Sequence, residues 1–149
     1  MIYESVGILR FSTSRDGTSK LVVEVDPDIG RLAYVLTPKY FRIQSPMFPP
    51  HLSIVRKEIC TSPDWGKREG DEVTFFYDNE TRNDEIYHWL RAWGDDLDVL
   101  RAELGLPHRA EITASPDLKD RYHITIGNTK HLQSVSREVR SVKLREERE

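Results

Sequence analysis

Two short segments written in one four-residue pattern, His51-Leu52-Ser53-Ile54 and His123-Ile124-Thr125-Ile126, constrain this chain more than any other feature. Each reads histidine, aliphatic, hydroxyl, aliphatic. An extended backbone alternates its side chains between two faces, so each segment predicts a strand with its aliphatic pair in a core and its histidine and hydroxyl on the opposite face. A single His-x-Ser on a strand is most often a solvated edge or a satisfied core histidine. Two copies with the same aliphatic framing, in a chain with five histidines, point to a function.

The remaining pattern supplies more strands and two helices. Residues 6–11 and 20–25 read as strands joined by a turn at Asp16-Gly17, a strong hairpin signal. A helix follows over 26–36, with Asp26 as its cap, Pro27 in its first position and Ile29, Leu32, Ala33 and Leu36 on one face. Pro38 stops it, and Pro46, Pro49 and Pro50 make 39–50 a stiff, extended approach. The first motif strand spans 51–58 and a further strand 72–78, followed by a loop at 78–84. Ile86, Trp89, Leu90, Trp93, Leu97, Leu100 and Leu104 recur at spacings of three and four, which predicts one long helix over 84–104 ended by Gly105 and Pro107. A short strand is expected at 109–114, the second motif strand at 121–128, and a charged, solvated tail at 134–149.

Composition narrows the function classes. The chain has 149 residues, the size of one domain, and 1–149 is read as one unit. A lone cysteine, Cys60, excludes an internal disulfide framework and a CxxC zinc site. No apolar run reaches the length of a membrane span, and the N-terminal segment lacks a secretory pattern, so a cytoplasmic protein without membrane association is expected. A net charge of −3 argues against a protein that coats duplex nucleic acid, and leaves room for a small nucleotide in a local pocket.

Paired histidines and hydroxyls suit one reaction well. Breaking a phosphodiester through its neighbouring 2′-hydroxyl needs a base for that proton and an acid for the leaving 5′-oxygen. Imidazole titrates near neutral pH and serves in either role. Hydroxyls two residues along would steady the charge on the non-bridging oxygens. His51, Ser53, His123 and Thr125 are the candidate catalytic residues, with no metal or cofactor called for, and the pattern alone does not say which histidine is the base.

These motifs resemble the two-histidine (2H) phosphoesterase superfamily. That resemblance implies a bilobal, pseudo-symmetric α+β fold, with two antiparallel sheets flanking a central cleft and helices outside. The blocks LTPKYFRIQSPMFPPHLSIVRKE, WGKREGDEVTFFY and HITIGNTK look more closely like the bacteriophage anti-CBASS phosphodiesterase family. The closer resemblance implies cleavage of 3′–5′ bonds in cyclic di- or trinucleotide second messengers such as cGAMP, in the cytoplasm of a bacterial host. The first motif carries Ser53 where that family commonly has threonine, and the segment 78–84 holds none of the aromatic residues the family uses to grip bases. The alternatives are a 2H enzyme acting on 2′,3′-cyclic phosphate ends of RNA, and a protein that sequesters cyclic nucleotides without turnover.

Further substrate contacts are expected from five residues. Trp65, in a polar loop, either stacks a base or folds back over the sheet. Tyr77 and Tyr122 are read as pocket walls, Tyr122 from the core side because its strand parity is opposite to that of His123. Arg56 and Lys130, which follow the two motifs, would bring positive charge to phosphates, with plain surface charge as the alternative. Trp89 and Trp93 are assigned to the core, and His88, His108 and His131 to no chemistry.

Overall fold

The computed structural model describes residues 1–46 and 48–132. Six strands, β1 (Ile2–Thr13), β2 (Ser19–Glu24), β3 (His51–Glu58), β4 (Glu72–Asn83), β5 (Tyr87–Trp93) and β6 (Tyr122–Asn128), close into one antiparallel barrel in the order β1-β2-β3-β6-β5-β4. Helix α1 (Pro27–Leu36) links β2 to β3, while α2 (Asp95–Glu103) and the single turn α3 (Arg109–Ile112) lie between β5 and β6. The tail at 134–149 lies outside the described residues.

This closed barrel replaces the bilobal, two-sheet fold that the 2H resemblance implies. Two features close it. The first is the length of β1, twelve residues, which lets one strand pair with β2 through its second half and with β4 through its first. The second is β5, which stands where the apolar spacing predicts the start of a long helix. Asp84 Oδ1 accepts hydrogen bonds from the backbone N–H groups of Ile86 at 2.8 Å and Tyr87 at 2.6 Å, which turns the chain back on β4. From Tyr87 the side chains alternate, with His88, Leu90 and Ala92 to one face and Trp89, Arg91 and Trp93 to the other. Gly94 then breaks the strand and only 95–103 is helical. Trp89, Leu90 and Trp93 satisfy a helical spacing and an alternating one alike, and pairing with β4 and β6 decides between them. The segment 78–84 is accordingly mostly strand, since β4 runs on to Asn83, and 109–114 contains a helical turn in place of a strand.

The barrel interior is apolar from every strand. Leu9, Leu21, Val23, Leu52, Ile54, Phe75, Leu90, Tyr122, Ile124 and Ile126 are all buried, and Leu97 and Leu100 of α2, with Leu104 at its C-terminal cap, join the same core. Leu52 and Ile124, the aliphatic residues inside the two motifs, face each other in register and are both fully buried, each contributing about 1.5–3 kcal/mol relative to exposure. The hairpin between β1 and β2 turns where expected: Gly17 has φ 84°, and Asp16 Oδ1 accepts from the N–H of Thr18.

Helix α1 begins as predicted, with Asp26 accepting from Asp28 N and Pro27 at its start. Its buried stripe is rotated from the expected one. Ile29, Gly30 and Ala33 face the barrel, and the close packing of Gly30 on Pro50 leaves Leu32 and Leu36 exposed. The approach to β3 is also less extended than its prolines imply. Lys39–Phe41 form a 3-10 turn, Arg42 takes a left-handed conformation, and Gln44 then bridges to Asn128 at the end of β6.

That crossing point rests on Gly127. A Cβ there would lie 2.8 Å from Ile43 Cδ1 and 2.9 Å from the carbonyl oxygen of Gln44. Gly127→Ala is therefore expected to push the crossing segment off β6 and destabilise the protein by about 1–3 kcal/mol, read as a lowered thermal midpoint. An unchanged midpoint would mean that this segment is not held as described.

Candidate functional site

The barrel brings the two motifs together edge to edge. Strands β3 and β6 are antiparallel neighbours with Leu52 opposite Ile124. That register sets His51 beside Thr125 and Ser53 beside His123. Each histidine thus neighbours the other motif's hydroxyl, and the histidines lie on a diagonal, where side-chain origins are roughly 7–8 Å apart. Because Leu52, Ile54, Ile124 and Ile126 fill the interior, the four polar residues share the outer wall. His51, Ser53 and Thr125 are half-buried there and His123 is exposed.

The neighbouring strands extend this wall. On β2, Val22 pairs with Ser53 and Glu24 with His51; on β5, Arg91 pairs with His123 and Trp89 with Thr125. The Trp89 ring meets the His123 ring edge-on, with centroids 5.2 Å apart. Arg91 is buried and held by Asp78 at 3.1 Å and Asp117 at 3.3 Å, so it braces the wall beside His123. The outward position of Trp89 and Arg91 was missed by reading 84–104 as a helix. The alternation from Tyr87 to Trp93, closed by Gly94, was the signal that could have found it.

The two histidines differ in their surroundings. His51 Nδ1 donates to the carbonyl of Pro49 at 3.0 Å, which orients the ring and leaves Nε2 for chemistry. His123 keeps an exposed edge but has dense protein behind it. Loss of solvation first, and the positive charge of Arg109 second, lower its pKa below the usual 6.5 for histidine, with Asp120 acting weakly the other way. His123 is therefore neutral at neutral pH.

The five expected substrate contacts are dispersed. Tyr122 points into the core, where its hydroxyl donates to Asp98 at 3.0 Å and burial raises its pKa. Tyr77 lies in β4, stacked on Tyr3, and its pKa is raised chiefly by burial. Trp65 folds back over the sheet, packing edge-on against Phe11 with centroids 4.9 Å apart. Arg56 lies further along β3, exposed, and Lys130 follows β6 with its ammonium 5.3 Å from the Tyr87 ring centroid. Among the described residues, no three His, Cys, Asp or Glu side chains converge as a metal-binding group.

Fold and site together define a closed six-stranded antiparallel barrel that displays two His-x-hydroxyl strands side by side on its outer wall. Comparison with protein-family models, curated proteins and solved structures found no match for this chain.

Proposed function

We propose that this protein is a phosphodiesterase that cleaves cyclic di- or trinucleotides by attack of a ribose 2′-hydroxyl on the adjacent phosphorus. The observation that carries the reading is the register of β3 on β6, which lets two imidazoles and two hydroxyls address one phosphate from a common face. His123, held neutral, takes the 2′-hydroxyl proton. The 2′-oxygen bonds to phosphorus, the bond to the 5′-oxygen breaks, and His51, entering the step as the imidazolium with Nδ1–H on the Pro49 carbonyl, gives its Nε2 proton to that oxygen. The products are a 2′,3′-cyclic phosphate and a free 5′-hydroxyl. Ser53 and Thr125 donate to the non-bridging oxygens as charge builds there. The choice of cyclic nucleotides over RNA ends rests on the net charge of −3 and on the resemblance of the motif blocks to the anti-CBASS family.

The test is a panel of cyclic di- and trinucleotides incubated with the purified protein in excess chelator, with products resolved by ion exchange. Linear products ending in a 2′,3′-cyclic phosphate are expected. Retention of uncleaved ligand would replace the enzyme with a sequestering protein, and activity only on 2′,3′-cyclic RNA ends would move the substrate. The pH profile adds a sign. A base with a lowered pKa stays unprotonated further into acid, so the acid limb of kcat/KM should fall below pH 6.5. An acid limb above that value would contradict His123 as the base.

A further inference from the structure

Arg109 is half-buried and, like the exposed Arg56 and Lys57 of β3, lacks an ion pair among the described residues, whereas its other half-buried or buried neighbours are paired. Arg101 is paired with Glu58, Arg91 with Asp78 and Asp117, Lys119 with Asp78, and Arg121 with Asp98. Arg109 forms no ion pair among the described residues. It opens α3, and its Nε donates to the carbonyl of Arg121 at 3.0 Å. Its guanidinium carbon lies 5.9 Å from the centroid of the Tyr122 ring. The group is thus anchored across the two residues that precede His123, with both terminal nitrogens uncommitted to any described residue.

Such a position is costly without an anion. The side chain is half-buried, so part of its hydration is lost, and the nearby charge of Arg101 repels it. Both effects lower its pKa, burial the more, while Tyr122 and the Glu58 carboxylate act the other way without pairing with it. A planar guanidinium with two free N–H edges matches the oxygens of a phosphate.

We propose that Arg109 is the phosphate-binding arm of the site, reaching the non-bridging oxygens of the phosphate that His123 serves. This deepens the phosphodiesterase reading and rests on it. It also gives the arm a second effect: before substrate binds, the same charge disfavours protonation of His123 and keeps the base ready, and a bound phosphate would offset that charge.

Inorganic phosphate is the probe, titrated into the full chain at fixed pH and followed through the His123 ring resonances. Arg109→Gln is expected to weaken phosphate binding about tenfold or more. Without phosphate, the same substitution should move the His123 titration upward, towards the ordinary histidine value. Arg31→Gln, an exposed position on α1 paired with Asp28, should change neither. Arg109→Lys keeps the charge without the fork and should bind phosphate at an intermediate level, which serves as the readout if the Gln variant does not fold. Wild-type phosphate affinity in Arg109→Gln, or in its absence a Lys variant indistinguishable from wild type, would overturn the assignment, as would an unmoved His123 titration. Phosphate binding that depends on Arg109, without cleavage of any cyclic nucleotide, would keep the anion site and reject the reaction. Cleavage with phosphate binding indifferent to Arg109 would do the reverse.

Discussion

His51→Ala and His123→Ala should each lower turnover of the preferred cyclic nucleotide by about 10²–10⁴-fold, with binding changed only a few-fold. The reason, under the proposed mechanism, is a division of labour across one phosphate. Without His123 the 2′-hydroxyl keeps its proton, and without His51 the 5′-oxygen must leave as an alkoxide. Neither imidazole fills the barrel core, since Leu52 and Ile124 do that from the opposite face, so both variants should melt close to wild type. The double variant should be little worse than either single one, because groups acting in one step do not contribute additively. Turnover in both single variants at the wild-type level would remove the acid–base assignment, whatever the protein binds.

Arg101→Met carries the largest expected effect on stability. Arg101 is fully buried, yet each of its three guanidinium nitrogens is hydrogen-bonded: two bonds of 2.8 Å to the Glu58 carboxylate, one of 2.8 Å to the carbonyl of Ile54, and one of 2.9 Å to that of Pro107. These contacts tie α2 and the loop after it to β3, the strand that carries the first motif. Removing the cation leaves Glu58 and the two carbonyls without their donor, at a cost of about 3–5 kcal/mol. Thermal unfolding should register this as a large fall in midpoint, and a shift of a degree or two would show that the pair contributes little.

The pair also sets a pH dependence. The hydrogen bonds from Arg101 hold the Glu58 carboxyl below its ordinary 4.5. A carboxyl with a lowered folded pKa contributes stability that is present above the unfolded value and is lost as pH falls through the folded one. The wild-type midpoint should therefore drop on acidification below about pH 4.5, and Arg101→Met should flatten that dependence.

The sequence by itself determined whatever a local period encodes without competition. The two motif strands, with aliphatic residues inward and polar residues outward, follow from alternation alone. So do the first hairpin at Asp16-Gly17, the cap of α1 at Asp26-Pro27, and the core-side position of Tyr122. The pattern also named the four residues on which the functional reading rests. What local periods could not decide was pairing. The stretch 84–104 satisfies helical and alternating spacing together, and only hydrogen bonding to β4 and β6 makes its first half β5. With that strand in place the sheet closes, and two separate sheets give way to one barrel. The positions of Trp89 and Arg91 beside the second motif follow from the same pairing, and that of Arg109 from its bond to the start of β6. Strand register is a property of two segments at once, and neither segment alone carries it.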